Sequence, residues 1–320
     1  MSGRGMPRFV VMSLDAAPPV RNGPFSLIAR FDGLTVHEYR CTSRPGDAPF
    51  TEYHDHTGFA LVESGCFVYR RGHDVRALVP GALLLGNAGE EYVCTHEYGG
   101  GDLCLSFSFS AERIDEGARR APGKPFGQST LPSLPRVAAL SRLAVATVHG
   151  ASDVGIDEIA HALLEAIQSE LGPSKTSPIA PNRTGRDRDR AIAAAQLMEA
   201  RSEEPLDLAT VARWVRVSPF HFLRAFRREL GITPHQHLIR VRLRRAIERL
   251  LETNRPITEI ALEVGFEDLS NFVRTFHRHV GWAPSEFRSK ILQAPRQSPA
   301  LHVRPPQEDQ HVRPRRDRSQ

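Results

Sequence analysis

The chain has 320 residues, 40% apolar and 25% charged, with a net charge of +5. That length accommodates two domains, and no run approaches the roughly 18 consecutive apolar residues that a membrane-spanning helix requires. The opening stretch MSGRGMPRFVVMSLDAAPPV lacks the apolar core of a secretory signal, and 4 scattered cysteines do not make a disulfide scaffold, so the expected setting is a cytoplasm with reduced thiols.

The charge is unevenly distributed. Met1–Asp187 carries 18 Lys+Arg against 21 Asp+Glu, Arg188–Lys290 carries 18 against 13, and Ile291–Gln320 carries 6 against 3. The positive excess of the C-terminal third suits a nucleic-acid partner, whose phosphates dominate affinity; an ordinary solvated basic surface would look the same by charge alone.

Residues 1–24 are rich in Gly, Pro and Ala and are expected to be loose. From Phe25 to about residue 110 short alternating runs follow one another: LTVHEYRC, FALVE, CFVYRR, ALVP, ALLLG, EYVCTHE and LCLSFSF. Pro80–Gly81, Gly86–Asn87 and Gly99–Gly101 interrupt them, and many short strands with such turns predict a barrel or a sandwich. Helical periodicity appears over residues 136–171, with Val137, Leu140, Leu143, Ala144 and Val148 on one stripe and Ile159, Leu163, Ile167 and Leu171 on another. This pair could pack on the strands or on a second subunit. Residues 172–186, largely GPSKTSPIAPNRTG, read as a linker by composition, and a helix over Asp187–Ala200 follows.

Two tandem helix-turn-helix patterns occupy residues 206–231 and 256–281. In the first, Leu208, Val211, Ala212 and Val215 form an apolar stripe. Ser218 stands where an N-cap belongs and Pro219 at the first helical position. Phe222, Ala225, Phe226 and Leu230 then face inward up to Gly231, a natural C-cap. In the second, Ile257, Ile260, Ala261 and Val264 make the stripe, Gly265 permits a left-handed turn, and Asp268 can cap the next helix. Phe272, Phe276 and Val280 face inward before Gly281. Between the two patterns, residues 236–253 carry Leu243, Ile247, Leu250 and Leu251 as the buried stripe expected of a helix. Two helices joined steeply by a tight turn are a common means of placing one of them in a DNA major groove. The tail after residue 291 is basic and rich in Pro, Gln and His, and is expected to be disordered.

The residues Ile257–Ala261, Gly265–Phe266, Ser270, Phe272, Arg274, Phe276, Gly281 and Pro284, with Ala212, Val217–Ser218, Phe222, Arg224, Phe226, Gly231 and Pro234 in the first copy, resemble AraC/XylS-type transcription regulators. The resemblance covers about a hundred residues. It implies an α+β multidomain protein with a C-terminal all-α domain over residues 187–291 that presents two recognition helices to double-stranded DNA. More loosely, through His54–His56, Glu63–Gly65 and Pro80–Gly81, it implies a cupin-like β-barrel over about residues 25–110 that binds an effector. It further implies dimer contacts in the helices at 136–171, and hence a homodimer, together with a contact to RNA polymerase. By the same resemblance the DNA-facing residues are Phe220, His221, Leu223 and Arg224 in the first copy and Leu269, Ser270, Asn271, Val273 and Arg274 in the second. Arg pairs well with guanine and Asn with adenine, whereas Arg227, Arg228 and Arg278 are better placed for phosphates; the competing reading is that Arg224 and Arg274 only form ion pairs within the domain.

A second constellation lies among the strands. His54 and His56 are two apart, as are Cys94 and His96, and residues i and i+2 of a strand share a face. If both pairs point inward they could hold zinc or another borderline divalent metal, with Cys104 joining from a neighbouring strand. Cys94 and Cys104 could instead be an oxidant-responsive thiol pair, or both could be small buried hydrophobes with the histidines on a loop. A metal- or thiol-responsive regulator is therefore one alternative, and a cupin-type metalloenzyme fused to a DNA-binding domain is another. The glutamate that metal cupins carry shortly after the second histidine is missing, since Glu63 comes too late, and no nucleophile pattern or phosphate loop is present, so the expectation is a regulator rather than an enzyme.

Overall fold

The computed structural model describes residues 25–117, 124–148, 154–171 and 185–292. The N-terminal stretch 1–24, nearly all of the linker and the basic tail lie outside the described residues. The strands are β1 (Phe25–Phe31), β2 (Leu34–Cys41), β3 (Phe50–Tyr53), β4 (Thr57–Gly65), β5 (Phe67–Arg71), β6 (Asp74–Leu78), β7 (Leu83–Gly86), β8 (Glu91–Thr95), β9 (Asp102–Phe109) and β10 (Thr130–Leu131). The helices are α1 (Ala111–Gly117), α2 (Pro135–Val148), α3 (Ile156–Glu170), α4 (Gly185–Ala200), α5 (Leu208–Trp214), α6 (Pro219–Leu230), α7 (Pro234–Glu252), α8 (Ile257–Glu263), α9 (Leu269–Val280) and α10 (Pro284–Leu292).

The strands form two open sheets, one ordered β1-β2-β9-β4-β7-β10 and the other β3-β8-β5-β6. The expected closed cupin barrel is not what the hydrogen bonding gives: among the described residues neither sheet closes on itself. The period-2 alternation accounts for the layering. Val62, Leu84 and Cys104 of the larger sheet meet Phe67, Tyr69, Tyr92 and Cys94 of the smaller one in a shared core. Their sequence neighbours Leu61, Leu83, Leu85 and Leu105 point the other way, into a core shared with α2 and α3. A sheet covered on both faces needs near-continuous apolar strands, which is why ALLLG lacks polar alternation.

The C-terminal helices pack on both flanks of these layers. Val68 of the smaller sheet's outer side and Val79, just after β6, join Ile192, Phe222, Phe226 and Leu230, while α2 packs on α7 and α9. Polar contacts cross the same boundary. The Tyr98 hydroxyl donates to Asp189 (2.6 Å), the Gln196 amide donates to the Tyr98 carbonyl (2.6 Å), and Arg142 pairs with Glu248. No described helix is long and apolar enough to cross a membrane.

His237 on α7 is 2% exposed and lies edge-on to Phe226, with Glu199 4.0 Å away. Burial disfavours the imidazolium more than Glu199 favours it, and lowers the pKa from 6.5 to about 4. Because the folded value lies below the unfolded one, the unfolded chain binds the proton more readily. The neutral ring's contribution to stability is therefore complete above about pH 6.5 and is lost as pH falls toward 4. Urea midpoints of the wild type are expected to fall more steeply across that window than those of His237→Gln; parallel pH profiles for the two proteins would contradict this account.

Candidate nucleic-acid interface and buried polar cluster

Each recognition helix is fixed at both ends by its own sequence. The Ser218 hydroxyl accepts from the His221 N–H at 3.3 Å, and the Asp268 carboxylate accepts from the Asn271 N–H at 2.7 Å. Gly231 and Gly281 end α6 and α9 in the left-handed conformation, at φ 75° and 89°. Within the turns, the Val217 N–H donates to the Ala212 carbonyl (3.1 Å) and the Phe266 N–H donates to the Ala261 carbonyl (2.9 Å), so the two corners share one geometry. The residue before each is left-handed: Gly265 at φ 98° in the second copy, but Arg216 at φ 55° in the first. The first copy thus tolerates strain that the sequence did not signal. Between them α7 begins with a reciprocal capping box of Thr233 and Gln236 and runs 19 residues, about 28 Å at 1.5 Å per residue.

The outward faces sort the expected DNA-facing residues into two groups. Phe220 is 69% exposed, with the Arg224 guanidinium 5.0 Å from its ring centroid. Arg224, Arg227, Leu269, Ser270, Arg274 and Arg278 are exposed. Among these, Arg227, Arg274 and Arg278 have no ion pair among the described residues, and their charge is available to a partner.

The remaining residues are engaged inside the domain. Arg228 donates to Asp187 at 2.7 Å and Glu229 at 3.0 Å, and His221 Nε2 lies 2.9 Å from the other Asp187 oxygen. Burial pushes the Asp187 carboxyl up, but bonds from His221 and Arg228 outweigh it and hold the group below the usual carboxylate value. Arg228 therefore clamps α6 to α4 instead of standing free for the expected phosphate contact. Asn271 is half-buried and its side-chain oxygen accepts the Thr275 hydroxyl (3.3 Å). Val273 packs partly against the core, and Leu223 lines a groove with Met198, Leu206 and Leu238.

The expected metal-ligating residues do not gather as the sequence suggested. His54 and His56 fall in the loop between β3 and β4, where the shared-face argument does not apply. His54 stacks on Tyr92 with ring centroids 4.4 Å apart, and His56 is exposed. Cys94 and His96 are both buried. Burial pushes the Cys94 and Cys104 thiols up, and the nearby Asp102 carboxylate adds to it.

What the structure brings together instead is Cys41, His96 and Asp102, all buried, with one ligand atom from each within 4.8 Å of the others. His96 Nε2 lies 2.6 Å from Asp102 Oδ1, and the Cys104 thiol donates to Asp102 Oδ2 at 3.1 Å. Burial opposes charge on His96, but the bond to Asp102 overrides it and raises the pKa to about 9. Burial likewise raises the Cys41 thiol, yet bonds from His96 and Ser43 outweigh it and lower its pKa below the ordinary value. Cys41 ends β2 and Asp102 begins β9, directly opposite in register. Sequence reasoning missed both residues because pairing across strands 61 positions apart leaves no local pattern. Beside the cluster, Glu52 accepts bonds from Tyr92 and Tyr39 around a cavity of about 60 Å³ between the sheets. That is well below the roughly 300–1,000 Å³ of typical small-molecule pockets.

Residues 211–290 match the family model described as a helix-turn-helix domain. Over 109 residues the chain is 34% identical to the HTH-type transcriptional regulator ArgR of Pseudomonas aeruginosa, covering 34% of this chain and 33% of that protein. Over 93 residues it is 41% identical to the ornithine utilization regulator of the same organism, covering 29% of this chain and 27% of that one. A solved transcriptional regulator with an AraC-type DNA-binding domain, from Chromobacterium violaceum, is 33% identical, with 34% of this chain and 98% of that chain covered and a TM-score of 0.32. The chain thus spans about a third or less of the length of these curated relatives. The matched residues are those that build the two capped corners and the helix between them, so it is this C-terminal helix-turn-helix domain that is similar to those of AraC/XylS-type transcriptional regulators.

Proposed function

We propose that the protein is a sequence-specific, DNA-binding transcription regulator in which α6 and α9 enter successive major grooves of one duplex. The observation that carries this reading is the pair of capped, glycine-terminated helices held by α7, each presenting exposed arginines: Arg224 and Arg227 on one, Arg274 and Arg278 on the other. Arg224 and Arg274 read bases, while Arg227 and Arg278 hold phosphates. Phe220 and Leu269 supply apolar contact. The sheet domain acts as the control element. The Gln196 and Tyr98–Asp189 contacts tie it to α4, so a ligand that binds two domain arrangements unequally would shift DNA affinity. A homodimer and a contact with RNA polymerase belong to the same reading.

Selection of bound sequences from random DNA with the full chain, at stated salt, tests it. The expected product is a bipartite motif whose halves lie about one helical turn apart. A single half-motif would leave one helix as a backbone clamp. No enrichment, with steep salt dependence, would reduce the basic face to unspecific attraction.

Arg274→Ala is expected to weaken binding to the selected site by about 1–3 kcal/mol and to relax preference in one half of the motif. Equal loss on selected and random DNA would reject base reading and leave a phosphate contact.

A further inference from the structure

We propose that Cys41, His96 and Asp102 form a binding site for one divalent transition-metal ion of the zinc class. A thiolate, an imidazole and a carboxylate are the donor set that such an ion takes. Here they come from both sheets: Cys41 and Asp102 from facing positions on β2 and β9, and His96 from just beyond β8. Their ligand atoms already lie within 4.8 Å of one another. In a tetrahedral zinc site, bonds of about 2.0–2.3 Å put neighbouring ligand atoms roughly 3.5 Å apart, so occupation needs shifts on the order of 1 Å. A cation seated there takes the place of the proton shared between His96 and Asp102. The second thiol beside Asp102, that of Cys104, stands next to the same position.

The backbone is shaped to bring these groups together. Gly101, at φ +73°, lies so close to β2 that a Cβ would fall 2.2 Å from the Cys41 carbonyl oxygen. Gly65, at φ +76°, would place a Cβ 2.3 Å from the Gly101 carbonyl oxygen and 2.7 Å from the Asp102 Cα. Two left-handed glycines thus let the start of β9 press against both its neighbours and bring the Asp102 carboxylate beside the Cys41 sulfur. The His96 ring is flanked by Phe50 and Phe67, each with a centroid 6.0 Å away. Three buried polar groups in an apolar sandwich carry a desolvation cost that their mutual hydrogen bonds offset only in part, and a bound cation would satisfy all three at once. The site bridges the two sheets two residues from Tyr98, whose carbonyl and hydroxyl contact α4. This inference stands apart from DNA binding, and its failure would leave that reading intact.

The test is titration of the chelator-stripped full chain with Co²⁺ alone, followed by competition with Zn²⁺. The expected result is one equivalent bound, a near-ultraviolet thiolate-to-cobalt charge-transfer band, and its loss on adding zinc. Cys41→Ser should abolish the band, and Asp102→Asn should weaken zinc binding beyond the roughly 10–100-fold that loss of an outer-sphere partner produces. A His54→Ala/His56→Ala double variant should bind as the wild type does. Circular dichroism establishes that each protein is folded. If a variant does not fold, the wild-type titration decides: no saturable binding of either ion to the folded wild type overturns the proposal. So does a charge-transfer band that survives in folded Cys41→Ser.

Discussion

Truncation of Phe272 to alanine is expected to destabilise the chain by about 3–5 kcal/mol, the range for a fully buried aromatic ring whose cavity cannot collapse. Phe272 is 0% exposed and is the second of four rings in series: its centroid lies 5.1 Å from Phe266 and 5.5 Å from Phe276, which in turn lies 5.7 Å from Phe287. Phe266 belongs to the turn, Phe272 and Phe276 to α9, and Phe287 to α10, so this side chain ties the turn to α9, and the series reaches α10 through Phe276. Urea unfolding followed by circular dichroism measures the loss. Phe220→Ala is the matched control, because that ring is 69% exposed and its removal should stay within about 0.5 kcal/mol. A loss below about 1 kcal/mol for Phe272→Ala, or similar losses for the two variants, would show that the ring series does not hold the corner.

The same residues show why this half of the molecule was legible. Caps, C-terminal glycines and aromatic stripes are local signals, and Ser218, Asp268, Gly231, Gly281 and the inward phenylalanines all lie where the spacing placed them. Most strands were legible because their alternation is local too. The misses have separate causes. β3 is four residues long with only Glu52 buried, so it carries no apolar period. The partner of Arg228 and His221 is Asp187, 41 and 34 positions away, and nothing near α6 announces that it will take up two of the expected DNA contacts. The metal-ligand expectation relied on a two-residue spacing that has meaning only in a strand. His54 and His56 are in a loop, while the groups that do converge, Cys41 and Asp102, meet through strand register alone. Local chemistry reads out of sequence; the assembly of a site from distant strands does not.

Replacement of Gly265 by alanine is expected to cost about 3–5 kcal/mol, far more than the same change at Gly281, although both residues are left-handed at φ +98° and +89°. The conformational cost of a Cβ in that region is roughly 1–2 kcal/mol at either site, partly offset by about 0.4–1 kcal/mol from a less flexible unfolded chain. The difference lies in the surroundings. At Gly281 nothing lies within 4 Å of the added atom, whereas at Gly265 it would sit 2.7 Å from the Ser202 carbonyl oxygen and 2.9 Å from both Arg242 Nε and Glu203 Cα. Those atoms are not at liberty to move, because Arg242 donates from Nε to the Ser202 carbonyl at 2.7 Å and from Nη2 to the Glu204 carbonyl at 2.8 Å. A Cβ must therefore displace the arginine and forfeit charge-assisted bonds worth about 1.5–3 kcal/mol, or shift the turn and with it the angle between α8 and α9. Either route also predicts a binding phenotype: Gly265→Ala should lose one half of the selected DNA motif while Gly281→Ala retains both. Equal destabilisation by the two variants would mean that the Arg242 clamp yields freely. The close approach of the α4–α5 connection to the second turn would then not be what sets the presentation of α9.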